Sequence, residues 1–314
     1  MFQKKVEALP MTAWLIVAVS GPFAVIAGKD DWFGVAVAAL VTGLLCWAVE
    51  GNTVERLWQS RLYCALQYIF LIPVLAYFAS QSSTCWPTGS AMPVVPVVLL
   101  GLAVVSAYRG AQGASKACSV LFWLVAGLYG VLLSFGSKDL QLSFLQPGYQ
   151  IPGSAAILAL LLPAVAQFIP REINPTNRLG GALAGAVLVL LCLWTVGGLS
   201  ATVAAGISWP LYEAGKSVSV LGVAERLESF ISVAATVGFY ALYSMLLSAC
   251  GHMAENVKTG WGKGGVVLAG AVAAVIVLFA PKIPPVFLLF GALLLWCVVP
   301  FVGASIFCEK KKKK

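Results

Sequence analysis

Ten long apolar stretches run through this chain and constrain its fold more than any single motif does. Hydrophobic residues make up 60% of the 314 residues and charged residues 10%, whereas soluble domains are about 45–50% apolar and about 25% charged. A helix needs roughly 20 apolar residues to cross a bilayer. Spans are predicted near residues 11–28, 32–49, 62–80, 93–108, 117–135, 140–169, 179–198, 225–250, 264–280 and 283–307. The pattern predicts an all-α integral membrane protein with ten transmembrane helices, forming a single polytopic domain over residues 1–314.

The basic residues favour an even number of spans. When loops are assigned alternately to the two sides, fifteen of the 20 Lys and Arg residues share the side of both termini and five lie opposite. The larger set is Lys4, Lys5, Arg56, Arg61, Arg109, Lys116, Arg171, Arg178, Lys258, Lys263 and Lys310 to Lys314. Basic loops stay cytoplasmic, so both termini are expected inside the cell. Because the charges are dispersed, we expect the lipid bilayer as a partner and no nucleic acid.

Groups that carry out chemistry are scarce in this sequence. It has no CxxC pair, no metal-ligand cluster, no nucleophile beside a base and no phosphate-binding loop. We therefore expect no enzymatic activity and no resident cofactor. A coupling ion, Na+ or H+, remains open, since Lys116 near the fifth span either replaces a sodium ion or anchors its helix at the interface. The lone His252 is predicted to lie in a cytoplasmic loop rather than in a proton relay.

Two interruptions by glycine and proline point to function. Ser20-Gly21-Pro22 lies in the first span and Pro152-Gly153-Ser154 in the sixth. Proline lacks a backbone N–H and glycine accepts unusual dihedral angles, so both helices are predicted to be broken there. Unwound backbone at membrane depth is tolerated where it lines a cavity, and the N-terminus of a half-helix suits a carboxylate. An amino acid is thus the predicted ligand, and a pair of ordinary proline kinks is the alternative.

The sixth span is too long for one simple crossing. It is predicted to form one half-helix before the break and a second from Ser154 onward, with Pro163 as a rival break point. A bulkier residue at Gly21 is expected to reduce ligand binding more than folding, because the break would line the ligand pocket.

Polar side chains recur along the eighth span at steps of three or four residues, which is typical of one helix face. They are Glu225, Glu228, Ser229, Ser232, Thr236, Tyr240, Tyr243, Ser244 and Ser248. Such a face turns toward the bundle interior or a cavity. Tyr240 and Ser244, near mid-depth, are predicted to contact the ligand, whereas the two glutamates are predicted to cap the helix beside Arg226.

Two further regions add to the predicted site and its surroundings. Gln67 and Tyr68 form the polar pair of the third span and are predicted to line the ligand pocket. Residues 199–223 are rich in aromatic residues, among them Trp209 and Tyr212, and are predicted to form a structured external hairpin rather than a free linker.

Two local motifs resemble the endospore germination permeases, which are the B subunits of germinant receptors. The run from Ser208 to Phe230, SWPLYEAGKSVSVLGVAERLESF, is similar to that family's Pro-containing external segment leading into an E-R-[IL]-E motif. The stretch from Ala27 to Leu45, AGKDDWFGVAVAALVTGLL, is similar to its Gly-x-Asp-x-Trp connection between helices one and two.

The resemblance implies the five-plus-five inverted repeat of the amino acid-polyamine-organocation transporters. Repeat one would cover about 8–135 and repeat two about 139–280, with a final helix at about 283–307. It also implies that Ser20 to Phe23 and Pro152 to Ser154 are unwound ligand-binding segments, with helices three and eight as walls.

Two functions follow from these expectations. The first is a receptor subunit in the inner membrane of an endospore-forming bacterium, which binds a small germinant, such as an amino acid, and signals to A- and C-type partner subunits. The second is an ion-coupled secondary amino acid transporter that uses the same pocket.

Overall fold

The computed structural model describes residues 5–49, 57–86, 94–136, 140–148, 150–170, 180–217, 228–279 and 283–302. Over these ranges the chain is predominantly helical and contains no β-strand. Seven helices are long and apolar enough to cross a membrane, judged by length and composition. The expectation of an all-helical membrane protein is therefore confirmed in its coarse form.

Within the described ranges, ten apolar helices form the bundle. The first five are α1 (Ala8–Ile26), α2 (Trp32–Val49), α3 (Arg61–Ser82), α4 (Val94–Tyr108) and α5 (Ala111–Gly136). The second five are α6 (Ser154–Leu161), α7 (Gly180–Leu199), α8 (Glu228–Val257), α9 (Gly262–Phe279) and α10 (Pro285–Ala292). Each overlaps one of the ten predicted stretches, although α6 covers only the second half of residues 140–169.

Two of these helices change their winding. α6 continues as the 3₁₀ helix Leu162–Phe168, with Pro163 in its first turn. α10 widens into the π-helix Leu293–Val298 and continues to residue 302. Two short helices, Ala201–Gly206 and Pro210–Ser217, lie between α7 and α8.

α8 is the central helix of the bundle. It packs against α1, α3, α4, α5 and α9, and every residue from 241 to 254 along it is buried. Large apolar side chains such as Leu40, Trp123 and Phe287 are exposed on the outer helices. Exposed apolar surface of this extent is what lipid-facing helices present.

The helix contacts follow a regular scheme. In most cases, moving both helices of a contact five positions along the chain, and counting on from α10 to α1, gives another contact. Thus α1 packs on α7 and α6 packs on α2, and α1 packs on α5 and α6 packs on α10. Likewise α4 packs on α8 and α9 on α3, while α5 packs on α8 and α10 on α3. The pairs α2–α7, α3–α8 and α4–α9 are also in contact. In each of these cases, the partner of a helix is matched by the partner of the helix five positions away. The most extensive contact, α1–α8, breaks the scheme, because α6 and α3 make no comparable contact among the described residues.

Tight turns join several neighbours in the bundle. The α1–α2 turn passes through Gly28, at φ +86°, and the α4–α5 turn passes through Gly110, at φ +102°. Residues other than glycine rarely adopt these angles. The turn at Gly110 connects α4 directly to α5.

Candidate ligand-binding site

The first predicted break is absent, because α1 runs as one α-helix from Ala8 to Ile26 with Pro22 inside it. Gly21 instead allows α1 to approach α8 closely. A Cβ atom placed on Gly21 would lie 2.5 Å from the backbone nitrogen of Phe239 and 2.7 Å from the carbonyl carbon of Gly238. The prediction of a broken first helix is therefore wrong, and the α1–α8 contact leaves no room for a ligand beside Gly21. Filling Gly21 must also disturb folding, contrary to expectation.

Ser20 and Phe23 serve the same packed region. The Ser20 hydroxyl donates to the carbonyl oxygen of Val17 at 2.7 Å, and the Ser20 carbonyl oxygen accepts a hydrogen bond from the Tyr129 hydroxyl at 3.4 Å. Phe23 and Pro22 are fully buried. These side chains contribute to helix packing in the structure as it stands.

The second predicted break, at Pro152-Gly153-Ser154, is present, but only the half-helix after it forms. α6 begins at Ser154 with Gly153 as its N-cap residue, as predicted. The predicted half-helix before it is wrong, because residues 145–148 and 150–153 are not helical and one 3₁₀ turn, Leu142–Phe144, precedes them.

Two aspartates in the α1–α2 turn explain why this segment stays unwound. The Gly153 amide donates to Asp30 Oδ1 at 2.9 Å, and the Gly148 amide donates to Asp31 Oδ1 at 3.0 Å. Asp31 Oδ2 also accepts the Gly34 amide at 3.2 Å. The protein's own carboxylates thus bind the amides that were expected to bind a ligand carboxylate. The Asp-Asp pair directly after the first span was the sequence signal for this arrangement.

Charge in this turn is partly shielded from water. Burial lowers the pKa of Lys29, and the neighbouring Asp30 acts in the opposite direction. The turn therefore holds one cation beside the two carboxylates that fix the start of α6.

Gln67 and Tyr68 point toward different helices, since neighbouring residues on a helix are rotated by about 100°. The fully buried Gln67 amide donates to the carbonyl oxygen of Leu295 at 2.9 Å, and its Oε1 accepts from Trp296 Nε1 at 3.2 Å. The Tyr68 hydroxyl donates to the carbonyl oxygen of Gly265 on α9 at 2.9 Å. These residues do not form one wall.

Ser244 and Tyr240 lie one turn apart on α8 but make different contacts. Trp14 Nε1 donates to Ser244 Oγ at 3.2 Å and to the carbonyl oxygen of Ala241 at 3.0 Å, while Ser244 Oγ donates to that carbonyl at 2.8 Å. Tyr240 is half-buried and lines a groove between α4 and α5. The predicted site residues therefore lie in separate environments rather than around one cavity.

A polar cluster at the π-helix was missed in part by sequence reasoning. A π-helix shifts the backbone hydrogen bonds, and such turns are frequent at functional sites. The Tyr63 hydroxyl and the Gln67 amide both donate to the Leu295 carbonyl, at 3.0 and 2.9 Å, and Gln167 Nε2 donates to the Trp296 carbonyl at 3.1 Å. We call Tyr63, Gln67, Gln167 and Trp296 the π-turn cluster. It joins α3, α6 and α10. The sequence signal for it is Pro300, which lacks the backbone N–H that would otherwise bond the Trp296 carbonyl four residues earlier.

The polar face of α8 extends beyond Ser248, its last predicted member, to His252 and Asn256. His252 is 6% exposed and lies inside α8, so its predicted position in a solvated loop is wrong. Its ring packs edge-on against Trp58 at 4.7 Å between centroids, and its Nε2 lies 3.2 Å from Asn256 Nδ2. Ser248 Oγ and His252 Nδ1 are buried without a hydrogen-bond partner among the described residues.

The structured segment between α7 and α8 is confirmed over residues 201–217. Trp209 is 4% exposed, and its Nε1 donates to the carbonyl oxygen of Ala24 in α1 at 2.7 Å. Its ring stacks on Tyr212 with centroids 4.6 Å apart. Glu228 is the first residue of α8, whereas Glu225 and Arg226 lie outside the described residues.

Lys116 lies on the surface of α5 and is exposed, a position that fits an interface anchor better than a substitute for a buried ion.

No family model matches the sequence, and no curated protein matches it either.

Proposed function

We propose that the protein is a ten-span membrane protein, built from two five-helix halves, that binds a small solute between its central helices. The observation that carries this proposal is the scheme of helix contacts, in which exchanging each helix with the one five positions away reproduces most of the pairing, with the α1–α8 contact as the main exception. Five crossings are an odd number, so α1 and α6 would start on opposite sides of the bilayer. The pseudo-two-fold axis that relates the two halves would then lie in the membrane plane, as in inverted-repeat transporters.

The solute would bind where α1 faces α8. These helices are closed on each other at Gly21 and Gly238, so binding requires a second state in which α1 and α8 separate. A ligand stabilises whichever state it binds better. Separation would free the Trp14 indole N–H from its acceptors on α8 and would expose the Ser20 and Ser244 hydroxyls, which bond within their own helices. All three are hydrogen-bond donors suited to the carboxylate of an amino acid.

The germination-permease resemblance supports a receptor role for this binding event. In that role the protein lies in the inner membrane of an endospore-forming bacterium, with both termini in the cytoplasm. A germinant amino acid shifts the α1–α8 equilibrium, and A- and C-type partner subunits respond to the altered surface.

Ligand-dependent thermal stabilisation of the purified protein tests the binding site. We expect one or more of the common amino acids, screened at millimolar concentration, to raise the Tm. Ser244→Ala should abolish this rise because Ser244 faces α1. Tyr68→Phe is the matched control, since its hydroxyl bonds to α9, and should retain the rise. A rise that survives Ser244→Ala would refute a site between α1 and α8.

Labelling at the two ends of α3 tests the ten-span topology. Gln59 and Ser83 are both exposed and flank this helix, whereas Cys64 and Cys85 are buried. In intact cells, an impermeant thiol reagent should label Ser83→Cys above the level of the parent protein and leave Gln59→Cys unlabelled. The reverse pattern would invert the proposed orientation, and equal labelling would contradict a crossing by α3.

The second candidate function, an ion-coupled transporter, is favoured by the unpartnered Ser248 Oγ and His252 Nδ1. Buried polar atoms normally have a partner, which can be an ordered water molecule, and one helical turn separates these two. A bound water molecule or coupling ion would satisfy both. In proteoliposomes, accumulation of the stabilising amino acid under a proton or sodium gradient, lost in His252→Asn, would establish the transporter. Binding without accumulation would favour the receptor.

A further inference from the structure

A groove of about 440 Å³ runs between α4 and α5 on the surface of the bundle. Small residues on α5 leave it open, because Gly113 and Ala117 lie one turn apart. A Cβ atom placed on Gly113 would meet no atom within 4 Å. The lining residues are Leu102, Val105, Ser106, Arg109, Gly113, Ala117 and Tyr240.

The length of the groove is apolar, and one end is cationic. Leu102 and Val105, which are 55% and 56% exposed, form its α4 wall. Arg109, also exposed, follows the last residue of α4 at the turn into α5. An exposed apolar wall ending in a guanidinium group matches the two chemical parts of a phospholipid.

Two further cations lie near this end. Side chains on a helix tilt toward its N-terminus, so Lys116 leans back toward the α4–α5 turn. Lys263 of α9 lies over the Tyr108 ring, with Nζ 4.8 Å from the centroid. Glu255 is the acidic residue nearest to Lys263 along the chain. Its carboxylate is engaged elsewhere, since it accepts the Gly260 and Gly262 amides at 3.0 and 2.8 Å.

We propose that this groove binds one anionic phospholipid, with an acyl chain along Leu102 and Val105 and the phosphate at Arg109. The planar guanidinium group pairs with phosphate through two parallel hydrogen bonds, which a lysine does not provide. Basic pockets between transmembrane helices are a recognised means of binding anionic head groups. The proposal requires α4 and α5 to lie in the bilayer and does not depend on solute binding.

Binding of the lipid would also affect the centre of the bundle. Tyr240 lines the groove from α8 and lies two residues beyond Gly238, where α8 meets α1. An occupied groove would restrain this part of α8 and so stabilise the closed α1–α8 contact.

Thermal unfolding in dodecylmaltoside micelles tests the site. Dioleoylphosphatidylglycerol should raise the Tm by about 5 °C more than dioleoylphosphatidylcholine does at saturating lipid. Arg109→Gln should remove more than half of this difference, as should Gly113→Leu, which fills the groove. Arg61→Gln, at another exposed cation, and Gly127→Leu, at another glycine of α5 with open space around it, should retain it.

Three results would overturn the proposal. The first is an equal effect of the two lipids, which would mean that the phosphatidylglycerol head group is not recognised. The second is an equal loss in Arg109→Gln and Arg61→Gln, which would reflect general surface charge. The third is an equal rise with glycerol 3-phosphate, which would mean that a free anion suffices without acyl chains. Since Arg109 is exposed, its substitution decides the question even if Gly113→Leu lowers the stability of the protein.

Discussion

Two contacts inside the bundle hold helices together by different means. α1 meets α8 backbone to backbone, and a Cβ atom placed on Gly238 would overlap the backbone nitrogen of Gly21 and lie 2.6 Å from its Cα. α3 meets α10 through side chains, since Gln67 donates to the Leu295 carbonyl and accepts from the Trp296 indole. The first contact depends on missing side chains and the second on the polar atoms of side chains that are present.

The difference determines how each contact should respond to mutation. Backbone atoms cannot rotate away from an added carbon, so the α1–α8 contact should tolerate no enlargement. The π-turn cluster contains more than one donor for the Leu295 carbonyl. Substitutions in it should therefore lower the stability by different amounts. Under the proposed function, the α1–α8 contact would open on ligand binding and the α3–α10 contact would stay fixed.

Gly238→Val should have the largest effect. Overpacking a core usually costs about 1–3 kcal/mol and occasionally more, and the added carbons here meet backbone rather than a flexible side chain. We expect a loss at or above the upper end of that range in denaturant unfolding. Gly127→Val is the control, because a Cβ atom at Gly127 has open space. Equal stability of the two variants would contradict a close α1–α8 contact.

Gln67→Leu should have the next largest effect. It leaves Trp296 Nε1 without its acceptor in a fully buried position, and a buried unsatisfied group costs about 1–3 kcal/mol. The cost should fall when Trp296→Phe has already removed the donor. A double-mutant cycle measured by denaturant unfolding checks this, and additive losses would show that the two side chains are not coupled.

Tyr63→Phe should cost less than Gln67→Leu. The Leu295 carbonyl keeps the Gln67 amide as a donor, so the loss should be that of an ordinary hydrogen bond, about 0.5–1.5 kcal/mol. The same unfolding measurement on both variants gives their order. If Tyr63→Phe proved the more damaging, the Tyr63 hydroxyl and not the Gln67 amide would be the main support of the π-helix.

Ser244→Ala should have the smallest effect. Trp14 Nε1 keeps the Ala241 carbonyl as an acceptor at 3.0 Å, so both remaining groups stay paired and the loss should be about 0.5 kcal/mol or less. Trp14→Phe, which removes the shared donor and packing volume, should cost clearly more. A large loss of Tm in Ser244→Ala would show that the Ser244 hydroxyl, and not the Trp14 indole, makes the main polar interaction between α1 and α8.

Helix positions were predictable because apolar length is a local property. Each of the ten predicted stretches contains an apolar helix, seven of which are long enough to cross a membrane, and the start of α6 at Ser154 follows from the preceding Pro152 and Gly153. The end of α8 was misplaced because Gly251 and His252 read as a loop, although the helix continues to Val257. Burial of that turn against Trp58 and Cys64 was not visible in the sequence.

The candidate site was predicted less well, because its residues depend on neighbours distant in the chain. Pro22 removes only one N–H donor from α1, and the fold continues the helix through it. Pro300 frees one carbonyl of the π-helix of α10, but the donors that bind the Leu295 and Trp296 carbonyls lie more than 100 residues away in the chain.

By itself, the sequence determined that the chain forms apolar helices, how many such stretches there are and where the turns fall, since hydrophobic length and turn residues act over a few neighbouring positions. Only the tertiary structure decided what Gly21, Gly153 and Gln67 do. A glycine is equally suited to a broken helix, a turn or a close helix contact, and a buried amide bonds to whichever group the packing places beside it. The approach of α8 to α1, the reach of Asp30 to α6 and the widening of α10 beside α3 settled these alternatives, because each is a contact between segments that the chain's order does not bring together.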